Sequence, residues 1–410
     1  MEDSTKKIKP LTKALTPPPD RGEHESLMEP LLVTAEHNED LADLVLELAS
    51  ESASFSSSIP AAFAQSLATL VRAMNCYYSN LIEGHDTHPV DIERALKKDY
   101  SSDFAKRNLQ LEAEAHIAVQ AWIDDGGISC KVVTSATVTE IHRRFCQLLP
   151  DELLWVEEPK TGNKIRVIPG EYRTSDVKVG RHIAISPGSV TRFMQRYEQF
   201  YSNLNRHNSI VAAAAAHHRL LWIHPFLDGN GRVARLLSHA SLKESLGSTG
   251  IWSVARGLAR KQSEYKNYLM NCDDTRHGDH DGRGPLSEES LAIFTRFFLE
   301  TCLDQVKFMR TLVRPDLLRT RVLVWTKEQI EEQKLPPRST LVLETLLRVG
   351  ELPRGDVQSM LDVSPATARR IISALTEQGI VVSETTRAPL QLAFPASLAS
   401  RWLPGLFPDM

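Results

Sequence analysis

His224-Pro225-Phe226-Leu227-Asp228-Gly229-Asn230-Gly231-Arg232-Val233-Ala234-Arg235 is the stretch whose reading decides the fold and the chemistry of this chain. The run before it, AAAAAHHRLLWI, reads as a helix that gives way at His224, because a residue preceding proline is driven out of the α region. His224 is thereby held at the mouth of a loop, a suitable place for a general base. Gly229 and Gly231 flank Asn230, so the backbone can turn tightly and present its N–H groups as an anion nest. A helix opens at once, and its N-terminus adds unpaired donors and a positive dipole end. Arg232 and Arg235 lie three apart on that helix, share a face and can grip phosphate oxygens. Asp228 is a hard oxygen ligand placed where a Mg2+ between phosphates would sit. Together these residues imply a polyphosphate site with a group that activates a nucleophile.

The surroundings are mostly helical. Apolar residues recur at helical spacing over 41–49, 59–78, 103–124 and 137–149, and long helices are predicted at about 189–205, 208–223, 230–246, 261–272 and 287–312. The β signal of the first 330 residues lies within 164–185, where KIRVIPGEYR and VKVGRHIAI alternate β-branched and polar residues across a turn. One hairpin inserted in a helical domain is expected. Beyond Leu335-Pro336-Pro337 the pattern changes: helices at 338–349 and 353–361, then Ser364 as N-cap with Pro365 at the first helical position, a stop at Gly379, and short β runs at 380–384 and 390–394. That is the outline of a winged helix-turn-helix. The predicted fold is mainly α, a helical bundle with a small β-hairpin flap and a C-terminal winged helix domain. Its expected units are a mobile tail at 1–25, an N-terminal helical region at 26–125, a catalytic core with following helices at 126–335, and the winged helix at 336–410.

The 410 residues carry 48 Lys and Arg against 52 Asp and Glu, with 42% hydrophobic residues, an ordinary globular balance. A net charge of −4 argues against a general nucleic-acid coat. Five scattered cysteines without metal spacing read as buried reduced thiols in a cytosol. Lys6, Lys7, Lys9 and Lys13 break up any apolar leader, and no run of 18 apolar residues occurs, so a cytoplasmic protein with no membrane partner is expected. Between 338 and 395 six arginines meet six acidic residues, a neutral module that favours protein docking or dimerisation over DNA, with Arg369, Arg370 and Arg387 keeping DNA binding open.

The string HPFLDGNGRVAR resembles the Fic family motif HPFx(D/E)GNGRxxR at every fixed position. The lead-in AAAAAHHRLLWIHPF, the stretch GEYRTSDVKV at 170–179 and GDHDGRGPLSEESLAIFTRFFLETCLDQVKFM extend the resemblance over roughly residues 30 to 400. It implies AMP transfer from ATP, with Mg2+ or Mn2+, to a Ser, Thr or Tyr hydroxyl of a target protein, and to the chain itself. By the same resemblance His224 would deprotonate the hydroxyl and Asp228 would hold the metal. Gly229, Asn230 and Gly231 would form the anion hole, Arg232 would bind phosphate and Arg235 the γ-phosphate. Gly231 stands where the kinase branch of the family carries lysine. A homodimer is expected from the resemblance alone.

Ser79-Asn80-Leu81-Ile82-Glu83-Gly84 resembles the family's inhibitory pattern (S/T)xxxE(G/N). Ser79, Glu83 and Gly84 would then form a brake in which Glu83 pairs with Arg235 and takes it from the γ-phosphate. Two alternatives accompany this reading: a deAMPylase run by Glu83, and a nucleotide-sensing DNA-binding regulator. Tyr265, and Tyr268 beside it, fall where relatives place aromatic residues near adenine, with core packing of an aromatic pair at this spacing as the alternative. Arg173 would steady the flap or the site, or else form a plain surface salt bridge; His217 and His218 would pack or cap in the bundle, and residues 277–281 would form a structured loop.

Overall fold

The computed structural model describes residues 17–157 and 162–408. Its first helices are α1 (Ala35–Ser57), α2 (Ala61–Glu83), α3 (Pro89–Leu96), α4 (Phe104–Asp124) and α5 (Ser135–Gln147). Two short antiparallel pairs follow: β1 (Trp155–Glu157) with β2 (Lys164–Arg166), and β3 (Lys178–Val179) with β4 (His182–Ile183). The central helices are α6 (Val190–Tyr201), α7 (Arg206–Ile223), α8 (Asn230–Leu246), α9 (Ala255–Arg260), α10 (Gln262–Asn271), α11 (Glu288–Leu312) and α12 (Pro315–Glu331). The C-terminal part holds α13 (Ser339–Val349), β5 (Glu351–Leu352), α14 (Asp356–Leu361), α15 (Pro365–Glu377), β6 (Val381–Val382), β7 (Leu390–Leu392) and α16 (Ala399–Trp402).

The core is organised around α7. Its run Ala212–Ala216 is buried on every side, and side chains this small let α6, α8, α11 and α1 close in upon it. Large residues from those neighbours fill the gaps: Phe193, Tyr197, Phe294 and Phe298 are all fully buried. Each contributes on the order of 1.5–3 kcal/mol of burial. Helix α2 packs between α4, α8 and α9, and on its far side meets the C-terminal part. There Phe63 stands edge-on to Phe394 at 5.6 Å, Tyr77 edge-on to Phe407 at 5.7 Å, and the Tyr78 hydroxyl donates to the Leu406 carbonyl at 2.9 Å.

Several expectations need correction. The single hairpin across 164–185 is two separate pairs, because β2 takes its partner from Trp155–Glu157, upstream of the quoted stretch. Helix α2 does not stop at 78; Tyr77, Tyr78 and Ile82 stay buried, and the helix runs to Glu83, where Gly84 at φ 89° caps it. Helix α12 was not anticipated. In the C-terminal part the sheet has three strands in the order β5-β7-β6, since Glu351–Leu352 pairs with Leu390–Gln391. Cys130 is exposed, unlike the other four cysteines.

Of the mobile tail expected over 1–25, residues 1–16 lie outside the described residues. The remainder is tied down. Asp20 bridges Arg192 at 2.8 Å, Arg21 reaches Asp176 and the Ala184 carbonyl, and Glu23 accepts from the Ser186 N–H at 2.9 Å. Polar side chains against polar side chains anchor this segment, a signal that hydropathy does not carry. Residues 277–281 form an ordered loop: Asp281 accepts from the N–H groups of His277 and Glu289.

Candidate active site

Helix α7 ends at Ile223, and His224 is its C-cap in the left-handed region at φ 51° and ψ 61°. The proline at 225 excludes the right-handed conformation, as expected, yet the residue turns left-handed rather than extended. For a non-glycine residue this costs roughly 1–2 kcal/mol. The His224 N–H closes onto the Leu220 carbonyl, and its Nδ1–H donates to the Leu221 carbonyl at 3.3 Å. Nε2 is therefore the nitrogen with a free lone pair. Burial first, then the positive charge of Arg173, pushes the imidazole down to about 4, so it is neutral at physiological pH.

The loop after His224 is shaped by Asn230. Its Oδ1 accepts from the Phe226 N–H at 3.0 Å and its Nδ2 donates to the Phe226 carbonyl at 2.8 Å. This side chain closes the loop with its oxygen and one amide hydrogen, and Nδ2 carries a second hydrogen. The available donors are the backbone N–H groups of the first turn of α8, which have no partners within the helix. Gly229 sits at φ 80° and turns the chain into α8. Gly231 is helical, and its missing side chain serves another purpose: a Cβ there would collide with Glu83 Oε1 and crowd Arg235 Nη1. Phe226 stacks on His142 at 3.8 Å with the rings 2° from parallel, and His142 Nδ1 accepts from the Gly170 N–H at 2.9 Å.

Arg235 is buried and turned toward α2. Its Nε donates to Ser79 Oγ at 2.8 Å, and its Nη2 to the Ser79 carbonyl at 3.2 Å and to Glu83 Oε1. Burial opposes the Glu83 charge, but Arg235, Arg232 and His85 outweigh it and hold the carboxyl below its ordinary range. The structure thus brings together Ser79, Glu83 and Arg235, 152 residues apart in the case of the ion pair. Arg232 turns the other way. Its Nη1 lies 3.1 Å from Glu112 on α4, out of line for a hydrogen bond, and its Nη2 lies 3.4 Å from Asp228. Glu112 in turn meets His85 Nδ1 at 2.8 Å.

Asp228 is exposed, with 53% of its side chain open, and Arg232 at 3.4 Å is its ion-pair partner. No group of three or more His, Cys, Asp or Glu able to hold a metal occurs among the described residues. A single open carboxylate beside a helix N-terminus suits a Mg2+ held mainly by the oxygens of a bound phosphate.

His224, Gly231, Arg235 and Glu83 face one cavity of about 470 Å3, roofed by the β3–β4 hairpin and walled by α10. Tyr265 forms part of that wall but is almost fully buried. Its hydroxyl meets His217 Nε2 at 2.6 Å, His217 Nδ1 meets Ser238 Oγ at 2.9 Å, and that hydroxyl donates to the Ala234 carbonyl. The Tyr265 hydroxyl is thus held within the bundle while the residue lines the cavity, and Tyr268 packs on Phe297 at 4.8 Å. Asp273 and His182 also line the cavity, and sequence reasoning missed both. His182 Nε2 donates to the Trp222 carbonyl at 2.7 Å, and Asp273 meets His218 Nε2 at 3.0 Å. Glu112, His85 and His142 were missed too; none lies in a motif, and only tertiary contact marks them.

Comparison with known proteins places this geometry in a class. Residues 132–242 match the Fic/DOC family. The chain is 30% identical over 168 residues to the protein adenylyltransferase Fic of Drosophila mojavensis, covering 40% of this chain and 30% of that protein. It is 37% identical over 114 residues to the protein of the same name in Drosophila melanogaster, 27% and 20% of the two chains. The match thus spans between a fifth and three-tenths of these relatives' length. A crystal structure of a Fic family protein from Desulfovibrio desulfuricans superposes with a TM-score of 0.53 at 16% identity, over 89% of this chain and 98% of that one. The fold is therefore Fic-type along most of the chain. No helix among the described residues is long and apolar enough to cross a membrane.

Proposed function

We propose that the chain is a protein adenylyltransferase that moves AMP from ATP to a side-chain hydroxyl of a protein, held in check by its own Glu83. One observation carries this reading: a neutral His224, with Nδ1–H engaged and Nε2 free, faces the same cavity as the N-terminus of α8 and Arg235. A phosphate-binding site alone would need no base there. Nε2 takes the proton from the hydroxyl, its oxygen bonds to the α-phosphorus, and the bond to the bridging oxygen breaks to release pyrophosphate. The first-turn amides of α8 and Arg232 hold phosphate oxygens, and Arg235, once freed, holds the γ-phosphate. Asp228 is the residue that would hold Mg2+, which when bound neutralises phosphate charge.

The brake follows from position. Glu83 lies across Gly231 and occupies Arg235, so a γ-phosphate meets a carboxylate where it needs a cation. A second reading, hydrolytic removal of AMP, is favoured by one feature: Glu83 opens into the same cavity as His224 and could orient a water there. We read residues 336–410 as a winged helix whose surface meets a protein partner. The deciding experiment supplies ATP labelled at the α-phosphate, with Mg2+, to wild type, Glu83→Gly and His224→Ala. Label on the Glu83→Gly protein, faint on wild type and absent on His224→Ala, supports adenylyl transfer with a brake. No label on any of the three, despite ATP binding, sinks it.

A further inference from the structure

We propose that Arg173 is a positioning residue that fastens the His224 turn and the root of the β3–β4 hairpin to a single anchor. The assignment takes His224 as the base, and so rests on the reading above; the contacts themselves do not. Arg173 is buried, with 2% of its surface exposed. Every side-chain bond it makes goes to a backbone carbonyl. Nε donates to His224 at 2.7 Å, Nη1 to Ser175 at 3.0 Å, and Nη2 to Ile185 at 2.5 Å and to Ile223 at 3.4 Å. Its own N–H donates to the Pro225 carbonyl at 2.9 Å.

Two of these carbonyls, Ile223 and His224, stand at the C-terminus of α7, where no intrahelical donor reaches them. A guanidinium there satisfies both and complements the negative end of the helix dipole. It also fastens the left-handed conformation of His224 by holding the carbonyls on either side of its α-carbon. The other two carbonyls belong to Ser175 and Ile185, on the segments entering and leaving the hairpin that roofs the cavity. One side chain thus sets the distance between the base and the hairpin. Lysine could not replace it: an ammonium has three donors at a point, whereas the fork carries five in a plane. The hairpin root is braced on its outer face as well, where Arg21 reaches the Ala184 carbonyl and Asp176.

Hydrogen exchange on the full-length protein tests the anchor without any need for turnover. In Arg173→Lys and Arg173→Gln, peptides covering 174–186 and 221–228 should lose protection together, by about tenfold, while α2, α8 and α11 keep theirs. Loosening of only one segment, or of neither, overturns the proposal; loss of protection throughout the core reduces Arg173 to a structural residue and overturns it equally. Kinetics add a second readout in the Glu83→Gly background. Self-labelling from α-labelled ATP should fall about tenfold or more, with ATP affinity, measured by direct titration, within about twofold of the parent. Equal loss of ATP affinity counts against a role confined to the base and the hairpin. A parent that does not label at all speaks against adenylyl transfer itself, and the exchange result then decides Arg173 alone.

Discussion

The Glu83 carboxylate lies against the bare α-carbon of Gly231 and takes a hydrogen bond from Nη2 of Arg235, joining the last turn of α2 to the first turns of α8. Replacing Glu83 with glycine leaves Arg235 free to meet a γ-phosphate. Label transfer from α-labelled ATP should rise by about tenfold or more. An unchanged rate would remove Glu83 from control of the site.

Ser79 holds the same guanidinium through Nε at 2.8 Å. Ser79→Ala removes one hydrogen bond to a charged group, on the order of 1.5–3 kcal/mol in the braked state. Basal labelling should rise, though less than in Glu83→Gly, and the two changes combined should not add. Full additivity would show that Ser79 acts elsewhere.

His224 is held down to about 4, chiefly by burial. Its folded value lies below the ordinary 6.5, so the base is unprotonated throughout the neutral range and gains a proton only as pH falls through about 4. In the Glu83→Gly protein the acid limb assigned to the base should therefore lie near pH 4. A midpoint near 6.5 would contradict the burial of the working imidazole.

His85 follows the brake directly, and its hydrogen bond to Glu112 holds its ring above the ordinary value of 6.5. A raised folded value means that the contact contributes fully below 6.5 and is lost as pH climbs through the raised value. Wild-type labelling should increase on the alkaline side of neutrality relative to Glu83→Gly, and His85→Ala should abolish that difference. Parallel pH profiles for wild type and Glu83→Gly would remove His85 from the brake.

Trp402 is buried and stands edge-on to Trp325 at 5.2 Å. Trp402→Ala should destabilise the C-terminal part by about 3–5 kcal/mol, read from urea unfolding. Loss of less than about 1 kcal/mol would show that the site collapses around the gap.

The motif at 224–235 was legible because its chemistry is contiguous. A helix end, a turn and a helix start lie within twelve residues, so local backbone rules place His224 beside the N-terminus of α8. The helices were legible from their spacing, since amphipathic burial repeats every three to four residues. The short strands were not. Two or three residues carry little periodicity, and β2 takes its partner from outside the stretch that carried the signal. Asn230 shows the limit within the motif itself: its residue type suits a donor to phosphate, but that its amide also ties the loop to Phe226 is visible only in the structure.

By itself, then, the sequence determined the fold class, the place of His224 at a helix end, the helix start at Asn230 and the helix end that carries Glu83. All of these follow from residue type and short-range spacing. Only the tertiary structure decided which partners those groups meet: Arg235 with Glu83 and Ser79, Arg232 with Glu112, and Arg173 with the carbonyls around His224. Tyr265 likewise lines the cavity with its hydroxyl held by His217. The reason is that burial removes water as the alternative partner, and which groups are buried together depends on how distant helices pack, a relation that no local pattern contains.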